Sequence, residues 1–459
     1  MTSNHPAILY NFEELLPSFK RWQRQGKADV DFLRGAFGNM VVPVVECSSE
    51  GYGEERHMSM TLLEYLDAVH GGRRDGDGHS PRSDGSQEAS GGAVLYLKDW
   101  HFQRLRRDGG RDSADGESVE TPFFFADDWL NWWCDEQGQK DYRFVYIGPR
   151  GSWTPLHHDY RNFFHWSFNV CGGKHWTLFP KEASPLLYDR HGRNLATDVR
   201  KDALDPENFP ELEGAPRLEV VQAPGEAIFV PSGWHHQVVN LGDGGLHGGL
   251  TISVNNNWFN GFSLDSVRSF LSSELVAVRA ALEHLRRDML GEGEWERQCE
   301  LAMRTNSGLN VTDFANIVVG RAHYLLSGEK RARGTGATLE RTGWASITGE
   351  PENDFRESRG DSGGGDGGDR RVWHDERWKV FALEKIAAAL RDLSTAPFVD
   401  HVFLDDAGLI NDAGVGTPDE HTDDGLRKDA RAGRRSVGAT LACVERYLHC
   451  SPDTDDRED

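Results

Sequence analysis

The chain has 459 residues, 37% of them hydrophobic, with 51 basic against 74 acidic side chains and a formal charge of −23. Such an excess of negative charge argues against tracking a phosphate backbone, and no apolar run is long enough to span a bilayer. The N-terminus lacks a basic region followed by an apolar stretch, and six scattered cysteines include no C-x-x-C pair. Reduced thiols in a cytosolic or nuclear compartment are therefore expected, and a cysteine-based zinc site is not.

Residues 7–46 combine helical spacing (FEELLPSFKRW, then DVDFLRGAFG) with a short apolar strand, MVVPVVEC. HMSMTLLEYLDAV reads as a strand end followed by a helix starting near Thr61, and AVLYLKDW as a further strand. Residues 71–92 and 105–118 have almost no apolar content and read as flexible insertions. In TPFFFADDWLNWWC, Asp127 or Asp128 is placed to cap a short aromatic helix.

From residue 141 to about 260 the pattern changes to short aromatic and β-branched runs broken by Gly and Pro, which predicts a β-sandwich or barrel. The segment GDGGLHGG between VVNL and LTISV reads as a hairpin tip. Helical periods follow at 261–327 and 372–450, around a Gly/Arg/Asp/Ser-rich linker at 328–371; a loop at 405–435 and an acidic tail at 451–459 read as solvated. The helices near 263–285 and 372–393 are candidates either to pair two copies of the chain or to pack back onto the barrel.

The chemistry concentrates in TPLHHDYRNFFHWSFNVCGGKHWTLFP, residues 154–180. Side chains alternate along a strand, so His157 and Asp159 share one face and His158 takes the other. An imidazole and a carboxylate on one face supply two ligands of a facial triad, which leaves metal positions open. PGEAIFVPSGWHHQVVN offers the third ligand, and spacing alone does not choose between His235 and His236. If His236 faces inward, Val238 and Asn240 share its face. Lys174 stands in an apolar run where a lysine needs a counter-charge. Ser167 and Asn169, placed on the Lys174 strand with equal parity, are candidate pocket polars.

GPRGSWTPLHHDY, WSFNVCGGKHWTLFP, PGEAIFVPSGWHHQVVN and ISVNNNW together resemble a jumonji-C domain, a double-stranded β-helix oxygenase that uses Fe(II), 2-oxoglutarate and molecular oxygen. With DFLRGAFGNMVVPVVEC, LYLKDWH and DDWLNWW, the resemblance narrows to the jumonji domain-containing protein four subfamily, lysyl hydroxylases of a translation release factor. It runs from about residue 28 to about residue 290. It implies a mainly β, jelly-roll core with N-terminal α/β elements and a C-terminal helical region. It implies His157, Asp159 and His236 as iron ligands, with Lys174 and Thr154 on the far carboxylate of 2-oxoglutarate and Tyr146 and Asn255 as further pocket residues. The implied substrate is a lysine of eukaryotic release factor one, in the cytoplasm, with neither nucleic acid nor membrane as a direct partner. N-methyl-lysine demethylation would use the same iron site, and a non-catalytic cupin-like scaffold would keep the fold alone.

Overall fold

Two antiparallel sheets face one another, and their strands come from distant parts of the chain. This computed structural model describes residues 4–47, 56–70, 94–108, 121–138, 141–159, 163–244, 249–288, 292–327, 376–395 and 437–449. The insertion expected at 71–92, most of that at 105–118, the linker at 328–371, the loop at 405–435 and the tail at 451–459 lie outside the described residues.

The strands in chain order are β1 (Ala7–Leu9), β2 (Gln23–Arg24), β3 (Lys27–Ala28), β4 (Val41–Cys47), β5 (Arg56–Thr61), β6 (Val94–Trp100), β7 (Arg143–Pro149), β8 (Trp153–His158), β9 (Phe164–Cys171), β10 (Gly173–Phe179), β11 (Leu218–Gln222), β12 (Ala227–Val230), β13 (His235–Gly242) and β14 (Leu250–Trp258). The larger sheet has the order β1-β12-β9-β14-β7-β6-β4-β5, and the smaller β11-β10-β13-β8. This is the expected jelly-roll core.

Alternation along the larger sheet sorts its two faces. Trp166, Phe168 and Val170 of β9, Val145 and Ile147 of β7, and Ile252 and Val254 of β14 join an apolar cluster with Phe12, Trp22, Leu33, Tyr65 and Trp100 from the N-terminal elements. Each such side chain, fully buried, contributes about 1.5–3 kcal/mol. The opposite face looks across to the smaller sheet. There one end is apolar, with Trp176, Leu178, Ile228, Val230, Trp234 and Val238. Beside it lie buried His165, Ser167, Asn169, Lys174, Ser253 and Asn255. Polar groups sealed between two sheets are costly unless they have partners or a ligand.

Several local expectations change in the structure. FEELLPSFKRW forms two 3-10 turns, Phe12–Glu14 and Pro17–Trp22, with Pro17 at the first position of the second. Proline starts a turn readily and cannot continue the preceding one as a helix donor. Helix α1 (Val30–Phe37) and helix α2 (Leu62–His70) appear where expected. In the latter, Thr61 and Glu64 cap each other reciprocally at 2.8 and 3.2 Å. Helix α3 (Phe102–Asp108) runs into the start of the second expected insertion. Asp128, rather than Asp127, caps helix α4 (Trp129–Glu136), accepting from the Asn131 amide at 2.8 Å.

GDGGLHGG is not a hairpin tip, because β13 belongs to the smaller sheet and β14 to the larger. Likewise Ser167 and Asn169 do not share a strand with Lys174: they sit on β9, and Lys174 on β10 of the other sheet. Gly172 makes the switch. Its φ is +71°, and a Cβ there would stand 2.5 Å from the Leu250 carbonyl oxygen.

The connection from β10 to β11, with short helix α5 (Val199–Asp202), covers the outer face of the smaller sheet through Leu156, Phe179, Leu187, Phe209 and Leu212. Helices α6 (Leu264–Leu282), α7 (Glu292–Ser307), α8 (Val311–Ser327) and α9 (Glu376–Thr395) share one apolar core with α4 and with residues 437–449. The two helices considered for pairing copies, α6 and α9, pack against each other within the chain, joined by Lys385–Asp265 at 2.9 Å and Arg268–Asp392 at 2.6 Å.

Candidate metal and cosubstrate site

Strands β8 and β13 place four histidines as two cross-strand pairs: His157 opposite His236, and His158 opposite His235. Because the side-chain period is two, the first pair enters the space between the sheets and the second faces away. The register settles what spacing left open. His236 shares the interior face with Val238 and Asn240, while the His235 ring meets His158 at 4.9 Å and Ser184 Oγ at 3.2 Å.

The His157 and His236 rings are 4.3 Å apart, and Asp159, just beyond the end of β8, puts Oδ2 3.8 Å from His236 Nε2. One ligand atom from each of His157, Asp159 and His236 falls within 4.8 Å of the others. His157 Nδ1 donates to the Pro155 carbonyl at 2.8 Å, and His236 Nδ1 is turned to the Trp234 carbonyl at 3.4 Å. A carbonyl only accepts, so both Nε2 atoms present lone pairs. Burial, and then the charge of a neighbouring histidine, push both imidazoles down to about 3, so they are neutral at physiological pH. Asp159 Oδ2 is buried and has no hydrogen-bond partner among the described residues. Two neutral imidazoles and an orphaned carboxylate oxygen suit a ferrous ion, and three ligands leave open positions that a closed structural zinc site does not.

A bulge supplies the next piece. Residues three apart on a regular strand face opposite ways, yet His157 pairs with His236 and Thr154 with Val238, two residues on. The extra residue in β8, at Pro155–Leu156, returns Thr154 to the interior face. There the Thr154 and Asn240 side chains both meet the hydroxyl of Tyr96.

Lys174 is 2% exposed, and its Nζ donates to Ser253 Oγ at 2.7 Å. Among the described residues no carboxylate lies within ion-pair distance of it, and burial pushes its pKa down to about 7. An ammonium has three donors, so two remain for another acceptor. The rings of Tyr146 and Trp176 stand 5.6 and 5.8 Å from Nζ. Ser253 Oγ also accepts from Asn255 Nδ2 at 3.1 Å. From β9, Ser167 Oγ and Asn169 Oδ1 are buried without partners among the described residues, while Asn169 Nδ2 donates to the Gln222 carbonyl at 3.2 Å. A buried cation, two hydroxyls and several unsatisfied polar atoms are the complement of a small dicarboxylate.

All nine residues singled out in the sequence thus face one interior. Four others did not emerge there. Ser253 was within reach of sequence reasoning, since it has the parity of Asn255 on β14. Tyr96 lies in LYLKDWH without any spacing that marks it. His165 Nδ1 donates to Asn257 Oδ1 at 2.6 Å, and Asn257 Nδ2 approaches Asp159 Oδ1 at 3.4 Å. That pair orients the carboxylate, and only strand pairing brings it there.

Comparison with known proteins agrees with this geometry. A cupin-like domain model matches residues 1–264. The chain is 40% identical over 320 residues to the 2-oxoglutarate and iron-dependent oxygenase JMJD4 of Homo sapiens, covering 68% of this chain and 69% of that protein. It is 33% identical over 314 residues to the Drosophila melanogaster JMJD4 homolog, covering 67% and 66%. It is 33% identical over 330 residues to the arginine-specific demethylase JMJ20 of Arabidopsis thaliana, covering 68% and 64%. Among the described residues no helix is long and apolar enough to cross a membrane. A domain match over more than half the chain and relatives aligned over two thirds of it leave one conclusion: the chain belongs to the cupin-like jumonji-C family of 2-oxoglutarate and iron-dependent oxygenases.

Proposed function

We propose that the chain is a protein hydroxylase that adds oxygen to carbon of a lysyl side chain in the stop-codon-reading domain of eukaryotic release factor one, acting in the cytoplasm on translation termination. The observation that carries the oxygenase part is the His157–Asp159–His236 cluster facing the buried, unpaired charge of Lys174. The lysyl part is supported by the resemblance over residues 28–290 and by relatives named as JMJD4 oxygenases.

In this reading His157, Asp159 and His236 hold Fe(II), while Lys174, Ser253 and Thr154 hold the far carboxylate of 2-oxoglutarate. When bound, iron and 2-oxoglutarate supply the oxidative decarboxylation that places one oxygen atom of O2 on a substrate C–H bond. The protein's own part is to orient and to exclude water. The carbonyls of Pro155 and Trp234 set the tautomers of the two imidazoles. Lys174 keeps its proton when an anion neutralises it, and the Ser253 hydroxyl fixes where its Nζ points. Ser167, Asn169, Tyr146 and Asn255 line the cavity around the cosubstrate, and Trp176 and Val238 form its dry end.

Demethylation is the second reading, favoured by the Arabidopsis thaliana relative named for arginine demethylation. The iron site is common to both. The test incubates the iron-loaded chain with 2-oxoglutarate and recombinant release factor one. Succinate release coupled to a mass gain of one oxygen on a lysine supports the proposal. Formaldehyde release from a methylated arginine or lysine peptide, with release factor one unmodified, replaces it by the second reading.

A further inference from the structure

Strand β6 carries an irregularity that the iron site does not explain. Leu97 pairs with Ile147 and Trp100 with Val145, so β6 has one residue too many against β7. The surplus falls at Lys98–Asp99, and Asp99 takes φ +58°, a left-handed conformation that few non-glycine residues adopt. The bulge turns an exposed carboxylate toward the site. Tyr146 donates its hydroxyl to Asp99 Oδ1 at 2.7 Å. The ring of that tyrosine is the one beside Lys174 Nζ, and it packs edge-on against Tyr96 at 6.0 Å. Tyr146 therefore spans the distance from the buried lysine to the surface, with Asp99 at its outer end. Among the described residues Asp99 forms no ion pair.

We propose that Asp99 is the carboxylate that reads a cationic side chain of the substrate, and that the cation it takes is an alkylammonium. The inference rests on the lysyl-hydroxylase reading and adds to it the residue that selects lysine. A guanidinium binds a carboxylate best as a two-point fork that uses both oxygens. Oδ1 of Asp99 already accepts the Tyr146 hydroxyl, so a fork would have to share that oxygen, while Oδ2 keeps both its lone pairs for a single donor. An ammonium is a point charge, needs one oxygen, and gains from an adjacent aromatic face such as that of Tyr146.

The test is a titration of the full chain, loaded with Fe(II) and 2-oxoglutarate and kept free of oxygen, so that turnover contributes nothing. The probes are the methylamides of N-acetyl-lysine, N-acetyl-arginine and N-acetyl-norleucine, followed by the visible absorption of the loaded site. The lysine amide should bind about fivefold or more tighter than either of the others, the scale of one partly exposed charge pair. Asp99→Asn should erase the difference between lysine and norleucine. Asparagine tolerates the left-handed backbone and still accepts from Tyr146, so the fold is kept. An unchanged midpoint of thermal unfolding checks this. Equal binding of lysine and norleucine by the native chain, no response to the lysine amide, or a preference that survives Asp99→Asn overturns the proposal. Lysine selection that depends on Asp99, with release factor one left unmodified, removes the release-factor substrate and leaves Asp99 in its role.

Discussion

His157 and His236 lie directly opposite one another on β8 and β13, rings 4.3 Å apart, each with Nδ1 turned back to the carbonyl two residues earlier in the chain. The same backbone arrangement on both strands presents two Nε2 lone pairs to Asp159 from one side. The pairing forces His158 and His235 to the opposite face.

His236→Ala is therefore expected to abolish iron retention, and His235→Ala to leave most of it. Asp159→Ala is expected to match His236→Ala while leaving the fold intact, because it removes a buried carboxylate oxygen that has no partner of its own. Iron stoichiometry by elemental analysis, alongside circular dichroism, checks both. Iron retention that tracks residue 235 rather than 236 would contradict the register.

Asn257→Ala should weaken iron affinity by about 10–100-fold, the usual consequence of removing a group that orients a ligand. It frees Asp159 Oδ1 and deprives His165 of its acceptor together. Competition with a chelator of known affinity measures it.

Cosubstrate affinity should depend on pH through Lys174. Its pKa is about 7 in the folded chain against 10.5 for an ordinary lysine, and a dicarboxylate needs the protonated form. Affinity for 2-oxoglutarate should be highest below pH 7 and fall by up to about tenfold per pH unit above it. The cosubstrate-free chain should show the opposite trend in stability. Between about 7 and 10.5 the unfolded chain holds the extra proton, so stability rises with pH there. Lys174→Met should remove both dependences, as read by binding titrations and thermal melts across that range.

Gly148→Ala should damage the cosubstrate end of the cavity without removing any polar group from it. A Cβ at this position would stand 2.3 Å from Ser152 Oγ, 2.6 Å from Asn240 Nδ2 and 2.6 Å from Tyr96 Cδ2. Overpacking of this kind costs about 1–3 kcal/mol. The expected result is a lower melting temperature together with weaker 2-oxoglutarate binding.

In the helical region, Asp127→Ala should destabilise by about 3–5 kcal/mol, because it removes the carboxylate from a buried ion pair. Arg321 donates to Asp127 Oδ1 at 2.6 Å with both side chains almost fully buried. Chemical denaturation measures the loss, and the double variant Asp127→Ala, Arg321→Met should recover part of it.

Much of the site was legible because its signals are local. His157 and Asp159 lie two apart on one extended segment, and alternation aligns them whatever the rest of the chain does. Lys174 stood out as a charge in an apolar run. Thr154 was named through resemblance alone, since alternation would turn it away and only the bulge at Pro155–Leu156 returns it. His165 and Asn257 carry no local mark; they matter because β9 and β14 are neighbours and the smaller sheet faces them. The reading of GDGGLHGG as a hairpin failed for the same reason, as turn composition does not say whether the next strand stays in the same sheet.

By itself, the sequence determined which groups could bind metal, which strand faces they occupy in pairs, and that a lysine in an apolar run would need a counter-charge. Those properties follow from the two-residue period of a strand and from the poor solvation of charge in apolar surroundings. Where spacing left His235 and His236 equal, the tertiary structure put His236 inside; it also moved Ser167 and Asn169 to the sheet opposite Lys174 and brought Asp99 beside Tyr146. Register, bulges and sheet crossings are long-range choices, set by which strands pair across many tens of residues.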